Sequence, residues 1–104
     1  MPHVVFVAPR FLETTNRYLA AFARLDEVTL SVVSQDPQSN LPKAVRSRIA
    51  GHYQVRNSLD AAELEVAVRA LSKGVGRVDR LAGALEQLQL PMAEVREALD
   101  LDGL

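Results

Sequence analysis

The 104-residue sequence contains no cysteine and no tryptophan, and only two tyrosines and three phenylalanines. Without cysteine there is no disulfide scaffold, no thiolate metal site and no cysteine nucleophile. A small secreted domain ordinarily needs such a staple, so the composition predicts a cytoplasmic protein. The aromatic residues are too few and too scattered to build a base-stacking platform. Long apolar runs are missing as well. The first one, Val4 to Ala8, is short, has no basic leader and meets Pro9 and Arg10, which excludes it as a signal peptide or a membrane span. Neither sign of charge dominates: twelve Lys and Arg against thirteen Asp and Glu leave a formal charge of −1. Such a balance provides no broad field for nucleic-acid phosphates, so neither nucleic acid nor membrane is an expected partner.

What the sequence does hold is 48% hydrophobic and 24% charged residues, enough for one core and a single domain over 1–104. Val4-Val5-Phe6-Val7 is β-rich without polar alternation, the pattern of a central parallel strand covered on both faces. Tyr18, Leu19, Phe22, Ala23 and Leu25 then recur at helical spacing, predicting a crossover helix capped by Thr14 or Thr15 with the Tyr18–Phe22 stripe in the core. Val28 to Val33 is a second β-branched run, stopped by the turn residues Ser34-Gln35-Asp36-Pro37. Asp36 to Leu41 reads as a loop, Lys43 to Ala50 as one or two helical turns, and Tyr53-Gln54-Val55 as a short third strand. Asp60 and Glu63 stand at capping-box spacing ahead of the stripe Ala61, Leu64, Val68, Leu71, and Gly74 and Gly76 close that helix. Val78 to Leu85 predicts a fourth strand, and Leu88, Met92, Val95 and Leu99, with Pro91 in the first turn, a last helix. Strands alternating with helices predict an α/β, Rossmann-like open parallel sheet of about four strands with helices on both faces.

Ligands of such sheets bind beyond the carboxyl ends of the strands. That rule gathers Pro9-Arg10-Phe11, Ser34-Gln35-Asp36, Arg56-Asn57-Ser58 and Glu86-Gln87 around one crevice. The turn Ala8-Pro9-Arg10-Phe11-Leu12-Glu13 has none of the glycines that admit a pyrophosphate, and no Walker motif is present, so NAD and FAD are not expected. Lys43, Arg46, Arg48 and Arg56 fall in a stretch between Asp36 and Asp60 without an acidic residue. Arg46, Arg48 and Arg56 are therefore candidates for an anion clamp through the guanidinium fork, the other reading being a solvated basic face. His3 and His52 have no partner at a metal-ligand spacing and are expected at the surface or flanking strands, so no metal site is predicted. No G-x-S-x-G elbow surrounds any serine, and Glu86 alone does not make an acid–base pair; no catalytic residue is assigned.

Two segments of the C-terminal third are more specific: Val78-Asp79-Arg80-Leu81-Ala82-Gly83-Ala84-Leu85-Glu86, and Leu90-Pro91-Met92-Ala93-Glu94-Val95-Arg96-Glu97-Ala98-Leu99-Asp100-Leu101-Asp102-Gly103. They resemble the end of the N-terminal preATP-grasp domain of ATP-grasp ligases, the superfamily of carbamoyl-phosphate synthase large chains, biotin carboxylases and amino-acid ligases. Asp79, Glu86, Ala93, Arg96, Leu99, Leu101 and Gly103 match that pattern, and Phe6 to Phe11 and Val33 to Pro37 look like its first two strand ends. The resemblance implies a parent enzyme that uses ATP and Mg²⁺ to activate a carboxylate as an acyl phosphate, which an amine, thiol or other nucleophile then attacks. It also implies that the ATP- and metal-binding residues follow Gly103. This chain would then be a substrate-side domain, inactive alone, partnered by the ATP-grasp domain and lending Arg10, Gln35 and Glu86 to the substrate cleft. The chain stops at Asp100-Leu101-Asp102-Gly103-Leu104 directly after a helix, as a fragment would, and an uncovered docking face is a route to a homodimer. The alternative is a free-standing Rossmann-like module that binds a small anion or a protein partner.

Overall fold

The computed structural model of the chain describes residues 1–83 and 89–99. In chain order the elements are β1 (His3–Val7), α1 (Glu13–Ala23), β2 (Thr29–Ser34), a 3₁₀ turn (Gln38–Asn40), α2 (Lys43–Arg46), β3 (Gly51–Gln54), α3 (Ala61–Gly74), β4 (Arg80–Gly83) and α4 (Gln89–Leu99). The four strands form one all-parallel sheet in the order β3-β2-β1-β4. The chain therefore steps outward from β1 to β3, then returns across the sheet to β4 on the other side of β1. Right-handed crossovers of opposite sense must lie on opposite faces. The packing agrees: Val5, Val7, Val33 and Leu81 meet α3 and α4 on one face, while Val4, Phe6, Leu30 and Val32 meet α1 and α2 on the other. This is a Rossmann-like α/β sheet, and it explains why β1 is apolar at successive positions, since all five of its residues are buried.

α3 begins where Asp60 predicts. Its Oδ1 accepts the backbone N–H groups of Ala62 (2.9 Å) and Glu63 (3.4 Å). The reciprocal half of the capping box is not made, because Glu63 Oε1 accepts instead from Arg56 N at 2.9 Å, while Asp60 N donates to Asn57 O. Leu64, Ala67, Val68 and Leu71 form the buried stripe. The helix ends at Gly74, and Gly76, at φ +142°, turns the chain through a conformation that side-chain-bearing residues avoid. α3 lies close over β3: a Cβ on Gly51 would stand 2.9 Å from Val75 Cγ2 and 3.0 Å from Leu71 Cδ2.

Several expectations need correction. Neither Thr14 nor Thr15 caps α1; Leu12 holds the cap position without a side-chain bond, and Thr15 is buried inside the helix. Thr15 and Leu19, four residues apart, share the sheet-facing side. That rotation leaves Tyr18 54% exposed rather than in the core. Phe22 packs on Phe6 with ring centroids 5.5 Å apart. The third strand starts two residues earlier than Tyr53, at Gly51. β4 begins at Arg80, which pairs with Val4; the part of the expected strand from Ala84 onward lies outside the described residues. Among the described residues no helix is long and apolar enough to cross a membrane.

Candidate functional site

Parallel strands bring their carboxyl ends to one edge of the sheet, and here the backbone ladder runs on past the strands. Ala8 N donates to Val33 O, Gln35 N to Pro9 O and Val55 N to Ser34 O, all within 2.8–2.9 Å. The tips of β1, β2 and β3 are thus joined into one surface carrying Arg10, Gln35, Asp36 and Ser58. The carboxylate of Asp36 organises it. One oxygen accepts from Arg10 Nη1 at 2.8 Å and the other from Phe11 N at 2.9 Å. The Phe11 N–H, and after it the Arg10 guanidinium, hold the Asp36 carboxyl below its ordinary value of 3.8. Arg10 is 59% exposed and gives Asp36 one of the five N–H donors of its fork, so the guanidinium remains accessible to an oxyanion.

Behind this pair, Ser34 is fully buried and its hydroxyl donates to Asp36 O at 2.6 Å. Having given its only hydrogen, Ser34 Oγ must accept from His52 Nε2, 2.7 Å away, which fixes that imidazole as the Nε2–H tautomer. Burial lowers the His52 pKa and favours the neutral ring, which stands 6.2 Å from the Phe11 ring. Gln35 Oε1 accepts both Ser58 N (3.1 Å) and Ser58 Oγ (2.7 Å), and Gln35 O accepts from Gln54 Nε2. Gln35 is therefore committed to fixing the segment between β3 and α3.

The structure brings Arg10 and Gln35 to the same edge, as the parallel arrangement predicts. Glu86 lies outside the described residues. Arg48 donates to Ala23 O and lines a cavity with Ala20 and Arg24, whereas Arg56 lines a separate one beside Tyr53 and Glu63. Arg46 sits on α2, next to the first of these. Asp36 and Ser58 fall in the crevice the strand-tip rule gathers but are not among the residues chosen there for a role, and His52 lies within β3 rather than at the surface or flanking a strand. Their signal was only positional: Asp36 sits at the tip of β2, where dinucleotide-binding sheets carry the acid that meets a ribose.

The opposite edge of the sheet is a structural lock. His3 is buried rather than superficial: its Nδ1–H donates to Gly76 O (2.8 Å), and its Nε2 pairs with Ser31 Oγ (2.7 Å). Asp79 Oδ2 accepts His3 N at 2.8 Å while Asp79 N donates to His3 O, tying the entry of β4 to that of β1. Arg96 Nη2 donates to Leu81 O at 2.6 Å, latching α4 onto β4. Among the described residues no group of three or more His, Cys, Asp or Glu is placed to hold a metal ion.

Compared with protein-family models the chain matches none, and compared with curated proteins it matches none.

Proposed function

We propose that the chain is the N-terminal, substrate-side domain of an ATP-grasp carboxylate ligase, of the preATP-grasp kind, and that it contributes strand tips rather than phosphate chemistry. The observation that carries the reading is the strand-tip edge itself: three joined tips presenting one guanidinium, Arg10, held in place by Asp36. Asp79 and Arg96, two residues on which the resemblance rests, support it by joining β4 to β1 and α4 to β4. In this reading Arg10 meets the acid substrate, Glu86 is a substrate-side residue by the resemblance alone, and Gln35 keeps the β3–α3 segment in position.

By the resemblance ATP and Mg²⁺ belong to a following domain, and the turn after β1 supports this reading. A phosphate cradle needs free backbone N–H groups, yet Pro9 has none, Ala8 N is given to Val33 O and Phe11 N to Asp36. The Asp36 carboxylate would moreover repel a polyphosphate. The test is the reading frame beyond the Leu104 codon. A following domain with a glycine-rich loop and magnesium-binding acids is expected; a frame that ends without one overturns the proposal and leaves the free-standing small-anion module.

A further inference from the structure

A second basic feature lies at the far end of the molecule from the strand tips, where α3 and α4 finish and the chain turns toward β4. A cavity of about 350 Å³ opens there, near the small end of the range of about 300–1,000 Å³ for small-molecule sites. Its floor is apolar: Val68 and Val78 are buried core residues, and Leu99 packs against the same core. Its rim holds Arg69, Lys73 and Arg77 beside the Ser72 hydroxyl, with no acidic residue among the described lining side chains. Arg69 meets Glu65 on its own helix at 3.3 Å, through Nε alone. The C-terminal dipole of α3 accounts for a cation at Lys73. It does not account for Arg77, which lies beyond the helix, nor for three cations converging over a hydrophobic floor.

We propose that this crevice binds a small organic anion, a carboxylate or sulfonate on an apolar body, with the body on Val68, Val78 and Leu99 and the charge among Arg69, Lys73 and Arg77. The site is independent of the ligase reading, since it uses no strand-tip residue. The test is an amide NMR titration of the full chain with 4-phenylbutyrate, beside 4-phenylbutanol and acetate. Saturable shifts at Ser72, Lys73, Arg77 and Val78 are expected with phenylbutyrate. Loss of the charge or of the ring should weaken binding roughly tenfold or more. K73E/R77E changes only exposed side chains and should abolish the response while the spectrum stays folded; R46E/R48E should retain it. Equal binding of the alcohol, an unchanged response in K73E/R77E, or no saturable shift at these amides would overturn the proposal. So would a response confined to D100N/D102N, which would mean that the chain's own acids compete for the cations.

Discussion

Replacing Asp36 with alanine isolates the group that organises the strand-tip edge. The carboxylate serves two donors of unequal weight. Its bond to the Phe11 N–H is a charge-assisted hydrogen bond in a partly buried setting, of a kind that contributes about 1.5–3 kcal/mol. The pair with Arg10 is partly solvated, because Arg10 is mostly exposed, and such pairs contribute about 0–1 kcal/mol. D36A should therefore cost about 2–3 kcal/mol, and R10A less than about 1 kcal/mol. D36N, which keeps one acceptor oxygen, should fall between them. Urea unfolding with linear extrapolation reads these values directly. For a domain of this length D36A should lower Tm by about 10–20 °C. The pH dependence has a definite sign. Asp36 is held below 3.8 in the folded protein, so its contribution is complete above that value and is lost as the pH falls through the lower folded value. D36N should remove this acid-sensitive component. If R10A proves as costly as D36A, or if D36A costs less than about 0.5 kcal/mol, the assignment of Phe11 N as the dominant partner is wrong.

Three further outcomes follow from other parts of the molecule. The His52 pKa is depressed by burial, so the unfolded chain takes up its proton first and stability should decline as pH drops below 6.5; H52Q should flatten that decline in urea titrations at stepped pH. G76A should destabilise by about 1–3 kcal/mol, because φ is +142°, whereas G74A, in the helix with open space around it, should stabilise by about 0.5–1 kcal/mol; thermal melts compare the two. S31A leaves His3 Nε2 buried without its partner and should cost about 1–3 kcal/mol in the same urea assay.

The parts of the fold that sequence disclosed are those where one physical demand dominates. Val4 to Val7 had to be a two-sided central strand because no polar residue interrupts it, and Asp60 had to start a helix because its side chain can satisfy two free N–H groups. The orientation of α1 was not legible, since Tyr18 and Leu19 are both apolar and only contact with the sheet decides that Leu19 turns inward. The burial of His3 was not legible for a similar reason: a histidine at a strand start is equally suited to solvent, and its burial depends on Ser31 and Gly76, distant in sequence. At the candidate site, the rule that parallel strands gather their tips placed Arg10 and Gln35 together. The pairings that give them different roles, Arg10 with Asp36 and Gln35 with Ser58, bridge 26 and 23 positions and carry no local signal.

On the proposed reading this chain offers a substrate-side edge while nucleotide chemistry lies elsewhere. Isothermal titration of the chain with Mg-ATP decides between that reading and its opposite. No saturable heat is predicted, because Pro9 has no N–H, Ala8 N and Phe11 N are already engaged, and Asp36 faces the same edge. Stoichiometric binding at micromolar ATP would contradict the account.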